Sequence, residues 1–450
     1  MKHRRLSIFI LGILIHGSSA VAAVSSDEAE KLKSELTPLG AERAGNADGT
    51  IPAWDGGVTE VKAGWTATDE RYDLFPNESP LYEITAQNYE QYKEKLSDGT
   101  VALLKKYPES FRLSVYPTHR TMAAAEYVYE NTFRNATTAR VSDDGMGVEG
   151  AYGGIPFPIP SNGLEAMWNH TLRVHPPAVQ YSIESYVGSS NGEYALTVGT
   201  NQDVSYPYYN REGSASDWEK AIMISRMEQV SPPFKAGESL IINDYAQSEP
   251  NRESWQYLMG QRRVRKSPNV GYDTPNFVAS GAMYFDEVLG FFGALDRYDW
   301  KLVGKKELYI PYNNNRFFTF DDDEVYDNHH IKSDKVRWEL HRVWVVEASV
   351  KQSERHAVPK RTFYLDEDSW MVAMVDGYDA EGRLWRTSHN MSFMAPDVPM
   401  IVTQPYMVFD LDAETFVASQ MFNGNFVYRP VKPKSDFFYS PNALAGDGLR

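Results

Sequence analysis

Between Val336 and Val350 the chain alternates for fifteen residues, with Val336, Trp338, Leu340, Trp344, Val346, Ala348 and Val350 at even positions and Arg337, Glu339, His341, Glu347 and Ser349 at odd ones. A period of two places successive side chains on opposite faces of an extended strand. The segment therefore reads as a strand with one apolar face and one largely wet face. At about 3.3 Å per residue it would be about 50 Å long, several times the usual strand, so it must twist, curve or carry a bulge. A curved antiparallel sheet with bulky apolar residues on its concave side leaves room between itself and whatever covers it. Arg342 breaks the apolar row. An unpaired cation there would be costly, so either a carboxylate pairs with it inside the fold or it meets the acidic group of a ligand.

Other strands follow the same logic. Tyr181 to Val187 and Tyr194 to Val198 flank Ser-Ser-Asn-Gly, whose Asn191-Gly192 supplies the positive φ of a tight hairpin. Met371 to Val375 and Leu384 to Ser388 flank a second turn rich in Asp and Gly. Upstream the period changes. Ser26 to Leu36 reads as a short charged helix, and Thr85 to Tyr107 and His119 to Arg134 as longer ones, with Gly99 expected to break the first. Between them Gly40 to Gly57 is dense in Gly, Asn, Asp and Pro, an irregular clasp anchored by Ile51 and Trp54. The expected organisation is an export signal over 1–23, a helical and irregular extension over 24–160, and a β-rich domain over 161–450.

Composition narrows the functions. The absence of cysteine removes disulfides, thiolate metal sites and thiol nucleophiles, and a formal charge of −16 argues against nucleic acid as partner. Arg262, Arg263, Arg265 and Lys266 form the main basic cluster, expected as a charge-protected edge strand. Lys2, Arg4 and Arg5 precede an apolar run from Leu6 to Ile15 and the small residues Ala20 to Ala23. This is the pattern of a secretory signal cut after Ala22 or Ala23, too short for a membrane anchor. Export to a bacterial periplasm without a transmembrane anchor is the expectation. No motif of a metalloprotease, P-loop, nucleophile elbow or dinucleotide site occurs, so no catalytic residue, metal or cofactor is assigned.

Six blocks carry a resemblance: LTPLGAERAGNADGTIPAWDGG, GGIPFPIPSNGLEAMWNH, SPNVGYDTPNF, DEVLGFFGALDRYDWKLVGKKELYIPYNNN, RWELHRVWVVEA and KRTFYLDEDSWMVAMVDGYDAEGRLWR. They resemble a domain-of-unknown-function family of exported Gram-negative proteins, labelled outer-membrane lipoprotein-sorting-like and grouped with the LolA/LolB superfamily. The resemblance implies an α+β fold in which a long curved antiparallel half-barrel is covered by helices and holds acyl chains. It also implies work beside an RND-type exporter and a companion outer-membrane protein. Together with the strand pattern it makes a periplasmic carrier of a lipid-like molecule the expected function, with Trp338, Leu340, Arg342, Trp344, Val346, Trp370 and Trp385 as the expected ligand contacts. An envelope enzyme on a hydrophobic substrate and a non-binding adaptor of an exporter complex are the alternatives.

Overall fold

Why the alternation holds becomes visible in the computed structural model, which describes residues 23–267, 270–422 and 428–447; the expected export signal over 1–23 lies outside them apart from Ala23. Sixteen strands form one sheet. In chain order they are β1 Tyr82–Ile84, β2 Leu113–Val115, β3 Ala178–Gly188, β4 Tyr194–Ser205, β5 Ala221–Ser231, β6 Ser239–Tyr245, β7 Arg252–Leu258 and β8 Arg263–Lys266. Then follow β9 Tyr298–Pro311, β10 Arg337–Val350, β11 Lys360–Asp366, β12 Val372–Tyr378, β13 Leu384–Asn390, β14 Tyr406–Asp410, β15 Thr415–Met421 and β16 Arg429–Pro430. In space the order is β1, β2, β10 to β15, then β3 to β8, with β9 on the other edge of β10 and β16 beside β3. Every ladder is antiparallel except the short parallel contact of β2 with β10. The two ends of this series, β1 and β8, do not pair, so the sheet stays open: the fold is the curved α+β half-barrel that the sequence implied.

The expected long strand is β10, Arg337–Val350, and the bulge falls on its partner β9, where the register slips between Leu302 and Gly304. Register carries one face across the sheet. Val346 pairs Phe363, Phe363 pairs Val375, Val375 pairs Ser388, Ser388 pairs Val408, Val408 pairs Val417 and Val417 pairs Val187. The apolar face of β10 and the Tyr181/Ile183 face of β3 are therefore one continuous concave surface. Over it lie α3 (Gly163–Thr171), the segment 36–57 and a strap of residues 270–297 that has only two single 3₁₀ turns. The other two longer helices are α1 (Asp98–Lys106) and α2 (Glu126–Thr138). The two expected hairpins are β3–β4, with Gly192 at φ 84°, and β12–β13. The basic cluster lies exposed along the edge strand β8.

Three expectations are corrected. The odd face of β10 is not wet: Arg337, Glu339 and His341 are buried beneath residues 75–121. Its charges are paired internally rather than hydrated, with Arg337 Nε on Glu339 Oε1 at 2.5 Å and Nη2 on Glu78 Oε2 at 2.7 Å. The helix expected over Thr85 to Tyr107 is two 3₁₀ turns followed by α1, which Ser97 caps through Thr100 N at 3.1 Å. Gly99 does not break it but lies in its first turn, where its N–H donates to Asp376 Oδ1 and an added Cβ would collide with Thr387 Oγ1. The helix expected from His119 begins only at Glu126, because the chain before it runs extended, with β2 in the sheet and Met122 and Ala123 buried.

Candidate functional site

The seven residues singled out in the sequence fall in densely filled parts of the fold. Trp338, Leu340, Val346 and Trp370 are buried, and Trp344 and Trp385 are half-buried. Trp344 stacks on Trp370 at 6.1 Å, and Trp370 Nε1 donates to Leu39 O at 2.8 Å. Trp338 meets the ring of His389 edge-on at 5.2 Å. Trp385 stands apart from the others, donating to Asp410 Oδ1 at 3.1 Å. Arg342 donates through Nε to Glu367 Oε1 at 2.5 Å and through Nη2 to the carbonyls of Glu42 at 3.1 Å and Ala44 at 2.6 Å. The irregular segment 36–57 thus acts as a clasp over β10, and Arg342 is one of its fastenings.

Around that fastening runs a network of buried charge. Arg120 grips Asp368 with two hydrogen bonds, at 2.9 and 2.7 Å, while Lys305 reaches Glu367 at 2.8 Å. Burial would raise Glu339, but the hydrogen bond from His341 and the charge of Arg337 hold its pKa below the usual carboxylate range. Asp366 differs. Burial and the neighbouring Asp368 push its carboxyl up against the pull of His341, whose Nδ1 is 3.6 Å from Asp366 Oδ1. One donor atom each from His341, Asp366 and Asp368 lie within 4.8 Å of one another, a spacing that could hold a metal ion. Asp368 is already bound to Arg120, however, which makes the group read as part of the ion-pair network.

Unfilled space lies elsewhere on the same concave face, between β3 to β7 and the strap. A cavity of about 100 Å³ is walled by Tyr181, Ile183, Met227, Leu240, Ile242 and Phe285. Register explains why these converge: Tyr181 pairs Gln202, Gln202 pairs Met227 and Met227 pairs Leu240, so neighbouring strands present them in one row. Two further cavities, of about 40 and 270 Å³, continue under the strap toward Asn251, Tyr272 and Arg297. Aliphatic, thioether and aromatic walls with few polar groups are the usual make-up of an apolar ligand site.

The strap is held down by charge. Glu287 receives two hydrogen bonds from Arg386, at 2.6 and 2.9 Å, and Asp286 two from Arg361, at 2.9 and 3.0 Å. Burial alone would raise Asp286, but Arg361 and His356 hold it far below its ordinary value. The two arginines flank Gly377 in a single cross-strand row of β11, β12 and β13. None of the seven residues named from the sequence borders these three cavities. The signal that pointed to the lining was the alternation Met223, Ser225, Met227 in β5, obscured because Ile222 and Ile224 make the opposite face apolar as well.

Among the described residues no helix is long and apolar enough to cross a membrane. Among solved structures, the chain resembles a putative outer membrane lipoprotein-sorting protein domain from Vibrio parahaemolyticus, with 11% identity over 63% of this chain and 98% of that one and a TM-score of 0.43. It also resembles a DUF1329 family protein from Desulfovibrio piger, with 14% identity over 60% and 92% and a TM-score of 0.40. A LolA superfamily protein from Nitrosomonas europaea matches with 11% identity over 63% and 100% and a TM-score of 0.36. In sequence, the "Uncharacterized protein PA3922" of Pseudomonas aeruginosa is 40% identical over 98% of each chain. Residues 83–445, nearly the whole sheet with its strap and α1 to α3, match the family described as "Protein of unknown function (DUF1329)", and the chain belongs to that family.

Proposed function

We propose that the protein is a periplasmic carrier that shields a lipid-like molecule between the concave face of β3 to β7 and the strap of residues 270–297. The observation that carries this reading is the apolar cavity of about 100 Å³ beneath the strap, which two further cavities continue. Its affinity would come from burial: each methylene moved from water contributes about 0.8 kcal/mol, so eight of them supply about 6 kcal/mol before ordering costs. The signal-like residues 1–23 support export, and the family resemblance supports work beside an RND-type exporter and an outer-membrane protein.

The test is saturable uptake. Protein denatured, delipidated and refolded should bind the neutral fluorophore N-phenyl-1-naphthylamine with unit stoichiometry, and Ser225→Phe, which fills the cavity from the floor of β5, should abolish it. The solid packing around β10 favours one alternative, a non-binding adaptor of an exporter complex. Absence of saturable uptake by well-folded protein would select that adaptor.

A further inference from the structure

Asp244 on β6 and Arg252 on β7 are direct cross-strand neighbours at the meeting point of the three cavities. Arg252 belongs to the wall of the apolar cavity and of the 270 Å³ cavity, and Asp244 borders the latter and the 40 Å³ one. Their side chains are 10% and 8% exposed, and Arg252 Nε donates to Asp244 Oδ1 at 2.6 Å. Arg252 Nη1 donates to Val270 O at 3.0 Å, and the guanidinium lies 4.8 Å from the centre of the Phe292 ring. The two remaining groups, Arg252 Nη2 and Asp244 Oδ2, are buried without a hydrogen-bond partner among the described residues. Groups of this kind are rare because an open donor or acceptor keeps its full desolvation penalty. Here one of each stands open beside apolar space.

Charge decides what can fill them. The polar cavity has two cations, Arg252 and Arg297. Three carboxylates balance them: Asp244, Asp273, which Arg297 Nη1 meets at 3.2 Å, and Asp296, which accepts from Tyr272 Oη at 2.9 Å. Within this cavity no positive charge is left over for an anion; Arg173, in the wall of the 40 Å³ cavity, is turned instead to Thr403 Oγ1 at 3.1 Å and the carbonyl of His170 at 2.8 Å. Burial, only partly offset by Arg252, raises the Asp244 carboxyl above its ordinary value.

We propose that Asp244 and Arg252 form the head-group site for an uncharged amphiphile whose polar end both donates and accepts a hydrogen bond, a hydroxyl above all. Its apolar body lies along Ile183, Met227, Leu240 and Ile242. The assignment rests on the carrier reading and names the class of its cargo: long-chain alcohols and other hydroxylated apolar molecules rather than fatty-acid anions. A hydroxyl gives a hydrogen to Asp244 Oδ2 and takes one from Arg252 Nη2. An ether can only accept, and a carboxylate brings a charge that three carboxylates oppose.

The experiment displaces bound N-phenyl-1-naphthylamine from the full chain at pH 7.5 with 1-decanol, its methyl ether or decanoate. Decanol should compete about tenfold more tightly than either, the gain expected from one added hydrogen bond to a charged group. The paired substitution Asp244→Leu with Arg252→Met removes both charges together, so no unpaired ion is left to unfold the protein. It should erase the preference for decanol over the ether, because decanol loses two hydrogen bonds and the ether one. Equal competition by decanol and ether in the natural protein, tighter binding of decanoate, or a preference that survives the paired substitution would each overturn the head-group assignment with the carrier reading intact. Failure of the fluorophore to enter the folded protein at all would instead overturn the carrier reading, and this assignment with it.

Discussion

Arg342 and Arg252 stand on the same concave face of one sheet, each beside a carboxylate, yet they end differently. Arg342 is held by Glu367 and by two backbone carbonyls of the clasp. Arg252 is held by Asp244 and one carbonyl, and keeps a nitrogen unpaired among the described residues. The difference follows the covering. Over β10 lies a segment that turns two carbonyls to Arg342, whereas the strap over β6 and β7 turns one, at Val270, to Arg252 and is otherwise fastened at Asp286 and Glu287, which leaves space beneath it. A charge in an apolar row therefore marks structure or a ligand contact according to what is laid over it.

The largest effect is expected from removing Arg342. Arg342→Met takes the closest cation from Glu367 in a nearly dry site, leaving Lys305 at 2.8 Å and Arg120 at 3.7 Å, and breaking a buried pair costs about 3–5 kcal/mol. Urea denaturation should show that loss while uptake of N-phenyl-1-naphthylamine by the folded fraction stays within twofold of normal. An unchanged midpoint together with weakened uptake would move the ligand to β10.

Matched truncations come next. Leu365 in β11 and Leu240 in β6 are both buried, and cutting either to alanine should cost about 2–4 kcal/mol through lost transfer energy and the cavity left behind. Only the second cavity joins existing space. Ligand at a hundred times its Kd should therefore restore about 2.7 kcal/mol to Leu240→Ala, as mass action requires, and do less for Leu365→Ala if that protein binds more weakly and nothing more if it binds equally. Thermal melts with and without 1-decanol separate the two. Larger recovery at Leu365 than at Leu240 would reverse the roles of the two regions.

How much of this could be read beforehand follows from the same contrast. The strand at 336–350 and the hairpin at Asn191-Gly192 were legible because a period of two and a positive-φ turn are local properties. That the odd face of β10 is dry was not, since Arg337 and Glu339 present the same pattern whether water or a counter-ion meets them. Nor was the cavity. Its walls come from separate strands and from the strap, where Tyr272, Ser280 and Leu289 adopt positive φ and no periodicity survives. Arg342 was visible as an exception because its neighbours in sequence are apolar; Arg252 becomes one only when register sets it opposite Asp244.

The filled region also carries a pH signature. Asp376 in β12 accepts from Tyr364 Oη, Thr387 Oγ1 and Gly99 N, each at 3.0 Å, with no cation among them. Burial pushes its carboxyl up to about 7. Between its ordinary value near 4 and that raised one, the folded chain holds a proton that the unfolded chain has lost, so this group's contribution is full below pH 4 and fades as pH rises to 7. His389 in β13 acts oppositely. Burial lowers it to about 3, so the unfolded chain binds the extra proton and stability rises with pH up to about 6.5. Because the two slopes overlap, the informative quantity is the difference between natural protein and Asp376→Asn. The natural protein should lose about 2 kcal/mol relative to the variant between pH 4 and 8, less than the full ~1.4 kcal/mol per unit because the surroundings relax around the charged form. A flat difference would mean that Asp376 is ionised throughout.

The smallest effect belongs to Trp385. It is half-buried on β13, with its ring 5.4 Å from the Arg386 guanidinium and its Nε1 on Asp410. Trp385→Leu removes one hydrogen bond and one partly exposed cation–π contact, together about 1 kcal/mol of stability. Because the side chain borders none of the three cavities, the affinity for N-phenyl-1-naphthylamine should stay within twofold of normal, whereas Tyr181→Leu, at the cavity wall, should weaken it severalfold. Titrations of the folded fraction of the two variants side by side test the assignment at the level of single aromatic rings. Greater loss at Trp385 than at Tyr181 would place the ligand against the central strands β13 and β14, and the space under the strap would then be a packing defect rather than a site.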